Sequence, residues 1–93
     1  MAGDAGVRSI EELRAFAAYL RNLSGNMVEE FTHARQEMYR VNEGWDDTEN
    51  QRFMEEFEQS VAMIDRIADH MDRYSVFVDR KCDILEQYTN TRL

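Results

Sequence analysis

Apolar side chains recur at alternating spacings of three and four residues along nearly the whole chain, and no proline interrupts them. This repeat restricts the fold more than any other feature. A period near 3.5 gathers the apolar positions into one stripe of an α-helix and onto no single face of a β-strand. The first stripe runs Ile10, Leu13, Ala17, Leu20, Met27, Phe31, Ala34, Met38 and Val41, with Ser24 its one polar interruption. The second runs Phe53, Phe57, Ser60, Ile64, Ile67, Met71, Tyr74, Val78, Lys81, Leu85 and Tyr88. Between them lies NEGWDDTEN, residues 42–50, rich in acids and cap-forming side chains and holding the only tryptophan. The expected fold class is therefore all-α, an antiparallel two-helix hairpin.

Local signals set the expected boundaries. Ser9 followed by Glu12 fits a capping box, so the first helix is expected over about 9–43, after a disordered lead at 1–8 that contains Gly3 and Gly6. Asp47 or Thr48 can cap the second helix, expected over about 47–90, with 91–93 as a tail. Ser24-Gly25-Asn26 looks like a possible break, but the stripe keeps its phase from Leu20 through Met27 to Ala34, which favours one continuous helix.

If the helices fold back on each other, pairing residues whose numbers sum to 91 sets Met38 opposite Phe53, Ala34 opposite Phe57, Phe31 opposite Ser60, Ala17 opposite Tyr74 and Leu13 opposite Val78. Small side chains then meet large ones, as close packing favours. The centre falls between Trp45 and Asp46, and the indole is expected to fold over the last layer, Met38 with Phe53.

The second helix is apolar beyond its stripe. Met54, Val61, Ala68 and Cys82 lie on one flank and Met63, Phe77 and Ile84 on the other, while the first helix adds Phe16, Leu23 and Val28. A stripe that wide touches more than one neighbouring helix. A chain of 93 residues has no room for further long helices, so two hairpins are expected to form a four-helix bundle, as a homodimer or a heterodimer. Phe16, Leu23, Val28, Met54, Val61, Met63 and Phe77 are the expected interface. In this register the chain after about residue 82 overruns the first helix, which marks Ile84, Leu85 and Tyr88 as an apolar overhang for recognition.

Composition narrows the function. A formal charge of -8, with arginines dispersed among acids, disfavours nucleic acid. No run of about 18 apolar residues suggests a membrane span, and MAGDAGVRSI lacks the pattern of a cleaved signal peptide. Glu58, Asp65, Asp72, Asp79 and Glu86 recur every seven residues and read as a solvated outer face, beside Arg66, Arg73 and Arg80. His33 and His70 are the only histidines, and neither assembles three or four metal ligands with its neighbours. Cys82 reads as a packed thiol. No catalytic, cofactor-binding or metal-binding residue is assigned, and the protein is not expected to be an enzyme.

The turn carries a resemblance. Two long amphipathic helices joined at Gly44-Trp45-Asp46-Asp47, with Phe53 eight residues after the tryptophan, resemble the WXG or ESAT-like family of small bacterial type VII secretion substrates, over roughly residues 9–90. Two features depart from that pattern: Asp47 stands where the family has glycine, and no Tyr-x-x-x-Asp/Glu follows the second helix, since Tyr74 precedes Val78 and Tyr88 precedes Arg92 at that spacing. The resemblance implies export without a cleaved signal peptide, as a folded dimer, with a type VII ATPase or an effector as further partner. The alternative is an intracellular helical adaptor or scaffold that docks on partner helices and stays in the cytoplasm.

Overall fold

In the computed structural model, backbone is described for residues 2–92 and side chains for residues 9–89. Two helices, α1 (Ala2–Val41) and α2 (Thr48–Arg92), pack along each other as an antiparallel rod of 70 × 17 × 15 Å. The hairpin expected from the two stripes is what forms, and α1 passes through Ser24-Gly25-Asn26 without a break. A Cβ placed on Gly25 would meet nothing within 4 Å. Gly25→Ala is accordingly expected to stabilise the hairpin by up to about 1 kcal/mol, read as a higher urea midpoint.

The helix ends differ from the expected ones. Helical backbone begins at Ala2, so Ser9 lies inside α1 and is not its cap; nothing in residues 2–8 forbids propagation as a proline would. Because α1 starts that early, α2 does not overrun it after residue 82. The tail expected at 91–93 is helical to Arg92, while Met1 and Leu93 lie outside the described residues.

The buried seam of α1 follows the expected stripe at Ile10, Ala17, Leu20 and Ser24, with Leu13, Met27, Phe31 and Met38 half-buried; Ala34 and Val41 are exposed. On α2 one column is as expected, with Phe57, Ile64 and Met71 half-buried and Val78 buried. The other is rotated by one residue. Ala68, Ser75 and Cys82 are buried and Met54 and Val61 half-buried, while Phe53, Ser60, Ile67, Tyr74, Lys81 and Tyr88 stay exposed. The register moves with it: the Ser24 hydroxyl donates to the Ala68 carbonyl at 3.1 Å and the Cys82 thiol to the Ile10 carbonyl at 3.8 Å, so facing residues sum to 92, not 91. Phe31 stacks with Phe57, centroids 6.4 Å apart, in place of the expected Ala34–Phe57 and Phe31–Ser60 pairs.

The physical reason is the backbone distance. Small side chains at Ala17 and Ser24 on one helix and Ala68, Ser75 and Cys82 on the other let the two axes approach closely, and bulky Ile67 and Tyr74 in the same column would hold them apart. The two buried hydroxyls do not oppose this, because Ser24 bonds across to Ala68 and Ser75 donates to its own Asp72 carbonyl at 2.7 Å.

Candidate partner-binding face

Rotating the α2 seam by one residue gives the flat hairpin two unlike faces. On one, charged columns of both helices meet. Arg14 binds Asp79, Asp83 and Glu86 at 3.4, 2.7 and 3.1 Å, Arg21 binds Asp79 at 2.6 Å, and Arg35 binds Glu58 at 2.6 Å. The Tyr39 hydroxyl adds a donor to Glu58 at 3.1 Å, and the Arg35 guanidinium lies over the Tyr39 ring. Glu58, Asp79 and Glu86 thus turn toward α1, which corrects their reading as a solvated outer face. Val28 falls on this charged side too, in the seven-residue column of Arg14, Arg21 and Arg35.

The electrostatics follow the contacts. The hydrogen bonds that Arg14 donates to Glu86 and then to Asp83 push its guanidinium further up, and Arg35, with Tyr39 after it, holds the Glu58 carboxyl below its usual range. A carboxylate lowered by folding stabilises the fold fully above its unfolded pKa, about 4.3 for glutamate. That contribution disappears as pH falls through the lowered folded value. Arg35→Gln is expected to bring the Glu58 midpoint back toward the ordinary glutamate value in a side-chain NMR titration. An unchanged midpoint would mean the pair does not hold in solution.

The opposite face is apolar. Phe16 of α1 meets Tyr74 of α2 edge-on with centroids 5.6 Å apart, and Tyr74 leans on Phe77 at 6.4 Å. Along the length of α2 Phe53, Met63, Ile67, Phe77 and Ile84 leave 41–60% of their surface open. Met63, Ile67, Phe77 and Ile84, with Ser60, His70, Tyr74, Lys81 and Tyr88, form a second stripe on α2, again spaced by three and four: 60, 63, 67, 70, 74, 77, 81, 84 and 88. The Lys81 ammonium sits 5.6 Å over the Phe77 ring, so even the stripe's charged member covers an aromatic.

Of the seven residues read as an interface, Phe16, Leu23, Met63 and Phe77 come together on this face, Leu23 half-buried and the others exposed. Met54 and Val61 lie in the hairpin's own seam, and Val28 is on the charged side. Ile67 and Tyr74, which the sequence reading placed in that seam, belong instead to the open face. Their membership was visible in the second stripe, which runs through both.

The turn is built by its caps. Gly44 has φ +79°, the left-handed conformation that ends helices at low cost only for glycine, and the Trp45 amide donates to the Asn42 carbonyl at 3.0 Å. Asp47 caps α2: its carboxylate accepts from the Glu49 and Asn50 amides at 2.9 and 3.3 Å. Asp46 accepts from the Gln51 side-chain amide at 3.4 Å. The hairpin end is closed by amides, with Asn42 donating to the Met38 carbonyl at 2.7 Å and Asn50 donating to Asn42. Trp45 remains 55% exposed and Phe53 60%, so the expected indole lid over a Met38–Phe53 layer does not form. Asp47→Ala is expected to cost about 1 kcal/mol, and so is Gly44→Ala, each measured as a lowered urea midpoint.

Near the C-terminal end Ile84, Leu85 and Tyr88 are exposed, Ile84 and Tyr88 on the second stripe and Leu85 in the column of Val78. Cys82 is fully buried, away from any solvent-borne reactant. Among the described residues no helix is long and apolar enough to cross a membrane, and no three His, Cys, Asp or Glu side chains are placed to hold a metal ion. The arrangement offers a long apolar surface and two helix ends, which suit binding. Comparison with known proteins finds no matching family model, curated protein or solved structure.

Proposed function

We propose that this protein acts by binding: its apolar face pairs with another helical hairpin, completing a four-helix bundle, and the pair is a substrate or export partner of a type VII secretion system. The observation that carries the reading is the division of the hairpin into a face closed by Arg14, Arg21 and Arg35 ion pairs and a face left open at Phe16, Met63, Ile67, Tyr74 and Phe77. An open apolar stripe of this length on a rod with so small a core is what a bundle-forming helix presents. The secretion assignment draws on the resemblance of Gly44-Trp45-Asp46-Asp47 to the turn of WXG proteins. It is supported by the exposure of Trp45, which leaves an indole at the tip for an export component to grip. Asp47 fills the family's glycine position as a helix cap, a role compatible with the same turn.

Export is the test. The tagged chain, expressed in a bacterium with a type VII apparatus, is expected in the culture filtrate and absent from it when the ATPase is deleted. Trp45→Ala is expected to keep the helical content and lose export. Retention of the parent chain in both strains would end the secretion reading, and a helical partner recovered with the retained chain would establish the adaptor alternative.

A further inference from the structure

The apolar stripe of α2 has a charged border whose sign opposes that of the molecule. One helical step outside Met63, His70, Phe77 and Ile84 runs the column Arg52, Gln59, Arg66, Arg73, Arg80 and Gln87, basic at four of its six positions in a chain of net charge -8. Arg73 is bound to Asp69 at 3.0 Å, but Arg52, Arg66 and Arg80 make no ion pair among the described residues. A shallow depression lined by Asp72, Arg73, Val76, Phe77 and Arg80 marks where this border meets the stripe. The hairpin's own contact shows what such a column does. On the other face the arginines at 14, 21 and 35 find the carboxylates of the facing helix.

We infer that the stripe takes a helix of a different protein, one whose apolar seam is bordered by carboxylates at seven-residue spacing, matching Arg66, Arg73 and Arg80. A second copy does not provide that border. Laid stripe to stripe, two copies would set arginine column against arginine column. The shorter apolar flank of α1, Phe16, Tyr19 and Leu23, is bordered by Ala15, Asn22, Glu29 and Gln36, with one carboxylate among them. The acidic column Glu58, Asp65, Asp72, Asp79 and Glu86 borders no open seam, and Glu58, Asp79 and Glu86 are already engaged by Arg35, Arg14 and Arg21. On the other border of the stripe, toward the turn, stand Glu30 and Glu37, the latter bound to Arg40 at 2.6 Å. Pairing with a copy is thus opposed by charge at α2, and pairing with an acid-bordered helix is favoured along its middle and open end.

This inference rests on the binding role of the apolar face, and one experiment separates the two. Two synthetic amphipathic helices with the same leucine seam, one bordered by glutamates and one by lysines, are titrated against the full chain by fluorescence anisotropy. The glutamate helix is expected to bind at least about tenfold more tightly in low salt, with the preference shrinking at high salt. The triple variant Arg66→Glu, Arg73→Glu, Arg80→Glu, checked for helical content, is expected to reverse the preference. Equal binding of both helices, or a preference that survives the triple variant, would overturn the charge rule while leaving the apolar face as a binding surface. Failure of both helices to bind would overturn the rule together with the binding role. A stable dimer of the chain alone, unaffected by the triple variant, would overturn the exclusion of a second copy.

Discussion

Ser75→Leu is expected to destabilise the hairpin by about 1–3 kcal/mol, with Ser60→Leu close to neutral. Ser75 is 0% exposed and stands, by the register that Ser24 and Cys82 define, against Ala17, also 0% exposed. Leucine there adds two heavy atoms at a position with no open space beside it, so the axes must separate or the side chain leave its rotamer. Ser60 is exposed, and leucine at that position only widens the open stripe. A two-helix hairpin has little stability in reserve, so the loss at position 75 should show as a large fall in the urea midpoint. The pair of variants also decides which face of α2 is buried. If residue 60 were in the seam and residue 75 outside it, the two effects would exchange.

That contrast marks where the sequence was legible. Helix number, helix continuity through Gly25 and the turn at Gly44 follow from periodicity and local chemistry, which are properties of single segments. The seam of α1 was equally plain, because no full second stripe competes with it: Arg14, Arg21 and Arg35 flank it on one side, and on the other the apolar column Phe16 and Leu23 gives way to Glu30 and Glu37. On α2 two stripes compete: one passes through Met54, Val61, Ala68, Ser75 and Cys82, the other through Phe53, Ile67, Tyr74 and Tyr88. Hydrophobicity alone favours the second, since its side chains are larger. Close approach of two backbones favours the first, since its side chains are smaller, and that is a property of the pair of helices. The missing signal was present as charge. Arg14, Arg21 and Arg35 share one seven-residue column, and so do Glu58, Asp65, Asp72, Asp79 and Glu86. Setting these columns edge to edge requires the rotated seam.

The same rotation is what leaves a binding face. Ile67 and Tyr74 in the seam would have covered the middle of the α2 stripe within the molecule and left Met63, Phe77 and Ile84 as a narrower flank. With Ala68 and Ser75 there instead, the larger side chains point out of the hairpin. Small residues inside therefore serve two ends, a close helix pair and an unspent apolar stripe. Function and fold are coupled at this point through a choice between adjacent residues.

The double variant Ile67→Asp, Phe77→Asp is expected to abolish pairing with an acid-bordered helix while leaving the hairpin folded. In the free chain Ile67 is 41% exposed and Phe77 51%, so folding loses little packing, and aspartate costs a few tenths of a kcal/mol per position in helix propensity. In a pair these positions become the centre of the buried stripe. Removing an apolar anchor there costs about 2 kcal/mol or more, roughly thirtyfold in Kd, and a carboxylate without a partner adds a desolvation penalty. Both changes together should weaken binding of the glutamate-bordered helix about a thousandfold, beyond detection for any micromolar complex. Asp79→Asn is the control: it weakens the bonds to Arg14 and Arg21 on the other face and should leave Kd unchanged. Circular dichroism and anisotropy on the same samples separate the outcomes. An unfolded double variant would place Ile67 and Phe77 in the hairpin's own core, against the register found here, and a folded variant that binds as the parent does would move the partner to another surface. A folded chain that no longer binds is the result that the division of the hairpin into one satisfied and one open face requires.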